Sequence, residues 1–134
     1  MVQSLKSGMT ILLVEDESAL REPVRDYLTE EGYRVLDASD GADATKLAEN
    51  HIGNIDVLLT DVIMPHLSGP DLANKLRSRF PGLKVIFMSG YAQDKLGASG
   101  ACDDCMLLQK PFTLRSLRSK LQEIATAAVY SSSR

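Results

Sequence analysis

Four short polar clusters in this chain each follow an apolar run. Glu15-Asp16-Glu17 follows Thr10–Val14, Asp61 follows Asp56–Thr60, Ser89-Gly90 follows Lys84–Met88, and Lys110-Pro111 follows Met106–Gln109. The residue types suggest one chemistry if they meet. Glu15, Asp16 and Asp61 brought into one pocket would repel one another, and a hard divalent cation relieves that repulsion. Oxygen-only ligands with room for water suit Mg²⁺. Lys110 would add a fixed positive charge and Ser89 a hydroxyl donor. A nucleophilic carboxylate, a cation, an ammonium and a hydroxyl make a set that can accept a phosphoryl group. That transfer depends mainly on positioning and on neutralising charge at the equatorial oxygens. A carboxylate acting as covalent acceptor yields an acyl phosphate.

The elements that must position these residues are legible in the apolar pattern. The four runs above and Arg34–Ala38 are short and rich in Val, Ile and Leu, and three of them are almost continuously apolar. That is the signature of strands buried on both faces. Between them the period changes to that of a helix. Leu20, Val24, Tyr27 and Leu28 share a face, as do Leu72, Leu76 and Phe80, and again Leu114, Leu117, Leu121 and Ile124; Ala44, Leu47 and Ala48 form a weaker set. Glu31-Gly32 and Pro81-Gly82 read as helix stops. Ser68 or Gly69 reads as a cap before Pro70, and Thr113 as a cap after Pro111-Phe112. Pro23 falls inside a helical pattern, near its start. Tyr91–Cys105, with Gly97 and Gly100, has a poor helical signal and is expected to hold a short or mobile fourth helix.

The order β-α-β-α-β-α-β-(α)-β-α predicts an α/β fold with a parallel sheet covered on both faces. Right-handed crossovers leave few topologies. Five strands point to the flavodoxin-like, doubly wound order 2-1-3-4-5, with a crevice at the carboxyl ends of β1 and β3. In that order Glu15, Asp16 and Asp61 converge. The reading divides the chain into an N-terminal extension (1–8), one domain (9–128) and a flexible tail (129–134).

Composition bounds the function. The 134 residues suffice for one domain, and 44% hydrophobic with 25% charged is ordinary for a globular protein. A net charge of −3 supplies no basic footprint for nucleic acid, and 5% aromatics with no Trp supplies few stacking platforms. No apolar run approaches the ~20 residues of a membrane helix. The opening residues lack a long apolar core of a secretory signal, so a cytoplasmic location is expected.

Four motifs resemble the receiver domains of two-component response regulators: Ile11-Leu-Leu-Val-Glu-Asp-Glu17, Leu59-Thr-Asp-Val-Ile-Met-Pro65, Phe87-Met-Ser-Gly-Tyr91 and Leu108-Gln-Lys-Pro-Phe112. Each is weak alone. In order, at the ends of four expected strands, they are strong together. The resemblance covers residues 9 to 128. It implies that Asp61 is the phospho-accepting aspartate. It implies that Glu15 and Asp16 hold Mg²⁺ together with Asp61 and the backbone carbonyl of Ile63. Ser89 resembles the switch hydroxyl and Lys110 its lysine partner, with a cis peptide before Pro111. Gly69 matches the glycine after the acceptor loop. The implied partners are a sensor histidine kinase or a histidine phosphotransfer domain as donor, and an effector the sequence does not name. A homodimer stays open. The role is that of a switch that assists its own phosphorylation, not a turnover enzyme. Phe87–Tyr91 with Leu108–Thr113 is most similar to receivers attached to hybrid sensor kinases.

This chain departs from the family pattern at Leu107, where many receivers carry an aromatic residue three positions before the lysine. Position 63 is also apolar. Hydrolysis of an acyl phosphate needs an in-line water, which Ile63 cannot hold, and Tyr91 would crowd its approach. Slow self-dephosphorylation is expected.

Glu15–Glu17 alone could be a helix start favoured by its dipole, and Ser89-Gly90 plain turn chemistry. A haloacid-dehalogenase-type phosphatase would carry a second aspartate where Ile63 stands. A nucleotide or flavin module would show a glycine-rich phosphate loop, and none occurs. A pseudo-receiver would lack the complete acidic set. Cys102-Asp-Asp-Cys105 precedes a strand rather than opening a helix, unlike a thioredoxin motif, and reads as a pair of loop thiols. His51 and His66 read as solvated loop residues.

Overall fold

The computed structural model describes residues 8–90 and 105–132. In chain order the elements are β1 (Thr10–Val14), α1 (Ser18–Glu30), β2 (Arg34–Ala38), α2 (Gly41–Asn50), β3 (Val57–Asp61), α3 (Gly69–Arg77), β4 (Lys84–Ser89), β5 (Met106–Gln109) and α4 (Leu114–Ser132). The five strands pair in parallel in the order β2-β1-β3-β4-β5, as the alternating pattern predicts. The helix expected within Tyr91–Cys105 lies outside the described residues, save for Cys105 itself.

The central strands read as continuous apolar runs because each buries both faces. Successive side chains of a strand point to opposite sides. Ile11 and Leu13 of β1, with Val57 and Leu59 of β3, face one core together with Val24, Leu28, Leu117, Leu121 and Ile124. Leu12, Val14 and Leu58 face the other, with Ala44, Ala48, Leu72, Leu76 and Phe80. Among the described residues, α1 and α4 cover one side, and α2 and α3 the other. Leu114, grouped by period with the α4 core, is 39% exposed because it opens the helix before the helix reaches the sheet.

Local signals set the helix ends. The Ser68 hydroxyl accepts the Asp71 N–H at 3.2 Å and caps α3, so Gly69 falls inside the helix. Asp40 accepts the Asp43 N–H at 2.7 Å and caps α2. Thr113 accepts the Ser116 N–H at 3.0 Å at the start of α4. Gly32, at φ 101, supplies the left-handed turn after α1. Pro23 stands within α1, on its exposed side. Helix α3 ends at Arg77 rather than running to Pro81. The Ser78 hydroxyl turns back onto the Lys75 carbonyl at 2.8 Å, while the Phe80 N–H still reaches the Leu76 carbonyl at 2.8 Å and keeps Phe80 in the core.

Candidate functional site

The strand order brings the carboxyl ends of β1, β3, β4 and β5 to one edge. Glu15 directly follows β1, while Asp61 and Ser89 are the last residues of β3 and β4. Lys110 directly follows β5, and its N–H donates to the Ser89 carbonyl at 2.6 Å. The peptide between Lys110 and Pro111 is cis.

Lys110 ties the edge together. Its Nζ lies 2.7 Å from Glu15 Oε1 and 2.7 Å from Asp61 Oδ1. Both carboxylates are buried, and Ser89 is buried beside them. Asp16 is exposed at the mouth, yet single carboxylate oxygens of Glu15, Asp16 and Asp61 all lie within 4.8 Å of one another. Of the residues singled out in the sequence, the structure gathers these three acids and Lys110. Ile63 stands two residues beyond Asp61 and is 71% exposed; its side chain is pure hydrocarbon, so its only oxygen is the backbone carbonyl.

Glu15 is held at every polar atom. Its N–H donates to the Ala38 carbonyl at 3.0 Å, and its Oε2 accepts the Glu17 N–H at 3.0 Å. Its carbonyl accepts Arg21 Nη1 at 2.7 Å. The loop after Asp61 is closed by the Val62 N–H on the Met88 carbonyl at 3.1 Å and the Gly69 N–H on the Val62 carbonyl at 2.8 Å. Within it His66 adopts φ 70, a left-handed conformation uncommon outside glycine.

Burial pushes the Asp61 carboxyl up to about 7; the Lys110 hydrogen bond opposes the rise and the neighbouring Glu15 charge adds to it. Burial alone would lower the Lys110 pKa, but its hydrogen bonds to Asp61 and Glu15 outweigh burial and hold the ammonium above its ordinary value. Lys110 thus pairs with two of the three acids, Glu15 and Asp61. The donor set fits a small hard cation. Three carboxylate oxygens within 4.8 Å of one another are the oxygen-only donors that would suit Mg²⁺.

A response regulator receiver domain model matches residues 11–122. The chain belongs to the response regulator receiver family. This receiver domain is 38% identical over 121 residues to the sensor kinase CckA of Brucella abortus, covering 90% of this chain and 13% of that protein. It is 34% identical over 119 residues to the response regulator receiver protein CpdR of the same organism, covering 88% of this chain and 98% of that one. Among solved structures it is similar to the response regulator TrrA of Thermotoga maritima in complex with Mg²⁺ and BeF, with a TM-score of 0.73 and 31% identity, covering 87% of this chain and 98% of that chain. The chain therefore spans a small part of one such relative and nearly the whole of another.

Sequence reasoning missed Arg21 and Asp37, whose side chains meet at 3.2 Å beside Glu15. An arginine early in an amphipathic helix reads as part of a solvated face, and nothing local marks it otherwise. The Cys-x-x-Cys reading needs correction at its described end: Cys105 is disulfide-bonded rather than a free thiol, and its Sγ lies 3.7 Å from Arg77 Nη2. Cys102 and Tyr91 lie outside the described residues. No helix among the described residues is long and apolar enough to cross a membrane.

Proposed function

We propose that Asp61 is the acceptor of a phosphoryl group delivered by a phosphohistidine of a sensor kinase or phosphotransfer domain. The observation that carries this is the contact of Asp61 Oδ1 with Lys110 Nζ at 2.7 Å, beside Glu15 and Asp16 at the carboxyl edge. A carboxylate oxygen of Asp61 attacks phosphorus in line. The P–N bond to the donor imidazole breaks, and the imidazole departs with its electron pair. Glu15, Asp16, Asp61 and the Ile63 carbonyl are the groups that would hold Mg²⁺, which when bound supplies positive charge to screen the approach of two anions.

Lys110 is placed to move from Asp61 to a new phosphoryl oxygen while keeping Glu15. Ser89, whose carbonyl already bonds the Lys110 N–H, is the hydroxyl expected to bind a second oxygen. These rearrangements bias a pre-existing equilibrium toward an active surface near β4, β5 and α4. The domain acts as a switch that takes part in its own phosphorylation, in the cytoplasm, with an effector as its output partner.

Incubation with Mg²⁺ and a small phosphodonor, followed by intact mass, tests this. The wild type should gain one phosphoryl group and Asp61→Asn none. Steady phosphate release without a phosphorylated species would favour a hydrolase instead.

A further inference from the structure

Arg21 reaches the acidic pocket yet has no part in the reading above. Its side chain is only 17% exposed, one turn into α1. Nη1 donates to the Glu15 carbonyl at 2.7 Å, and Nε donates to Asp37 Oδ2 at 3.2 Å. Asp37, next to the end of β2, also forms an ion pair with Arg25, whose Nη1 lies 3.6 Å from its Oδ2. We propose that Arg21, braced by Asp37, is a positioning residue for the cation site: it fixes the Glu15–Asp16 peptide, and so the directions in which the two carboxylates leave the end of β1. The proposal rests on the reading that Glu15, Asp16 and Asp61 hold Mg²⁺.

The backbone shows why a brace is needed there. The pairings of β1 with both neighbours end at Val14, opposite Ala38 and Thr60. Beyond them the Glu15 N–H still finds Ala38, but the Glu15 carbonyl is bonded by the arginine of a helix. The peptide is planar, so holding its carbonyl also sets the Cα of Asp16. Asp16 itself is exposed and has little packing to orient it. The guanidinium suits the task because its rigid fork engages two acceptors at once, which a lysine ammonium on a flexible stem does not reproduce.

The sign of the effect separates positioning from simple charge. A cation beside a cation site opposes Mg²⁺, so removing a bystander arginine would tighten binding. Removing a brace weakens it, and groups that orient metal ligands commonly govern about 10–100-fold in affinity.

The test is calorimetric titration of Mg²⁺ into the unphosphorylated wild type, Arg21→Ala and Arg21→Lys, with melting curves in the absence of metal to register folding. Arg21→Ala is expected to bind Mg²⁺ about tenfold more weakly. Arg21→Lys should also bind more weakly although the charge is kept. Unchanged or tighter binding by a folded Arg21→Ala overturns the proposal. Should Arg21→Ala not fold, wild-type affinity in Arg21→Lys overturns it instead. A wild type that binds no Mg²⁺ would remove the underlying reading and the proposal together, whereas normal wild-type binding with unaffected variants removes the proposal alone.

Discussion

Gly69 packs its Cα directly against the main chain of Asp61: a side chain there would collide with the Asp61 carbonyl oxygen. The neighbouring atoms are backbone and cannot swing aside. The Gly69 N–H also closes the loop onto the Val62 carbonyl at 2.8 Å. Gly69→Ala should therefore destabilise the domain by about 1–3 kcal/mol, the usual range for forced overpacking. Urea unfolding would measure the loss. Phosphorylation with a small donor should also slow, because the displaced strand end carries Asp61. Wild-type stability and rate in Gly69→Ala would show that the loop relaxes without consequence.

The acidic edge makes stability depend on pH. The folded-state pKa of Asp61 is raised to about 7 by burial. The folded state therefore holds this proton more tightly than the unfolded chain does. The associated stability is present in full below the ordinary carboxylate pKa and is lost as pH rises through about 7. Without metal, Asp61→Asn should be more stable than wild type at pH 8, on the order of 1 kcal/mol after allowing for solvent screening. The gap should close near pH 4. Added Mg²⁺ should stabilise wild type, by ~2.7 kcal/mol at a hundredfold excess over Kd, and Asp61→Asn much less. Melting curves across pH, with and without Mg²⁺, check both statements.

If Asp61 is the acceptor, as proposed, position 63 should influence the lifetime of the phosphorylated form. Its side chain is 71% exposed beside Asp61 and offers no polar atom to hold an attacking water. Ile63→Asn supplies one. A hydrogen bond contributing ~1 kcal/mol in the transition state corresponds to about a fivefold shorter half-life. Intact mass followed over time after donor removal would measure it. An unchanged half-life would mean that water access is set elsewhere.

Tyr33 reports on the opposite end of the pH range. It is 4% exposed, and burial pushes its phenol up to about 12. Stability is whole below the ordinary phenol pKa near 10 and falls as pH rises through about 12. Tyr33→Phe should stay within about 1 kcal/mol of wild type at pH 8. Between pH 10 and 12 it should lose less stability than wild type. Denaturant midpoints at pH 8 and pH 11 make the comparison.

What the linear chain determined was whatever depends on neighbours in sequence or on burial of whole elements. Strands β1, β3 and β4 announce themselves because both faces are buried, and that demands unbroken apolar residues. Ser68 and Thr113 announce helix starts because a cap bonds to an N–H three residues on. Alternation of the two periods then leaves essentially one sheet order, and that order alone brings Glu15, Asp16 and Asp61 to one edge. What only the tertiary structure decided are contacts between residues far apart in sequence. One Lys110 ammonium bridges Glu15 and Asp61, although 95 positions separate Lys110 from Glu15. Arg21 turns inward to the Glu15 carbonyl instead of outward to water. Gly69 is a glycine because the Asp61 backbone occupies the space a Cβ would need. These relationships depend on how finished elements pack, and residue type alone does not reveal which side of a helix or loop will meet the end of a strand.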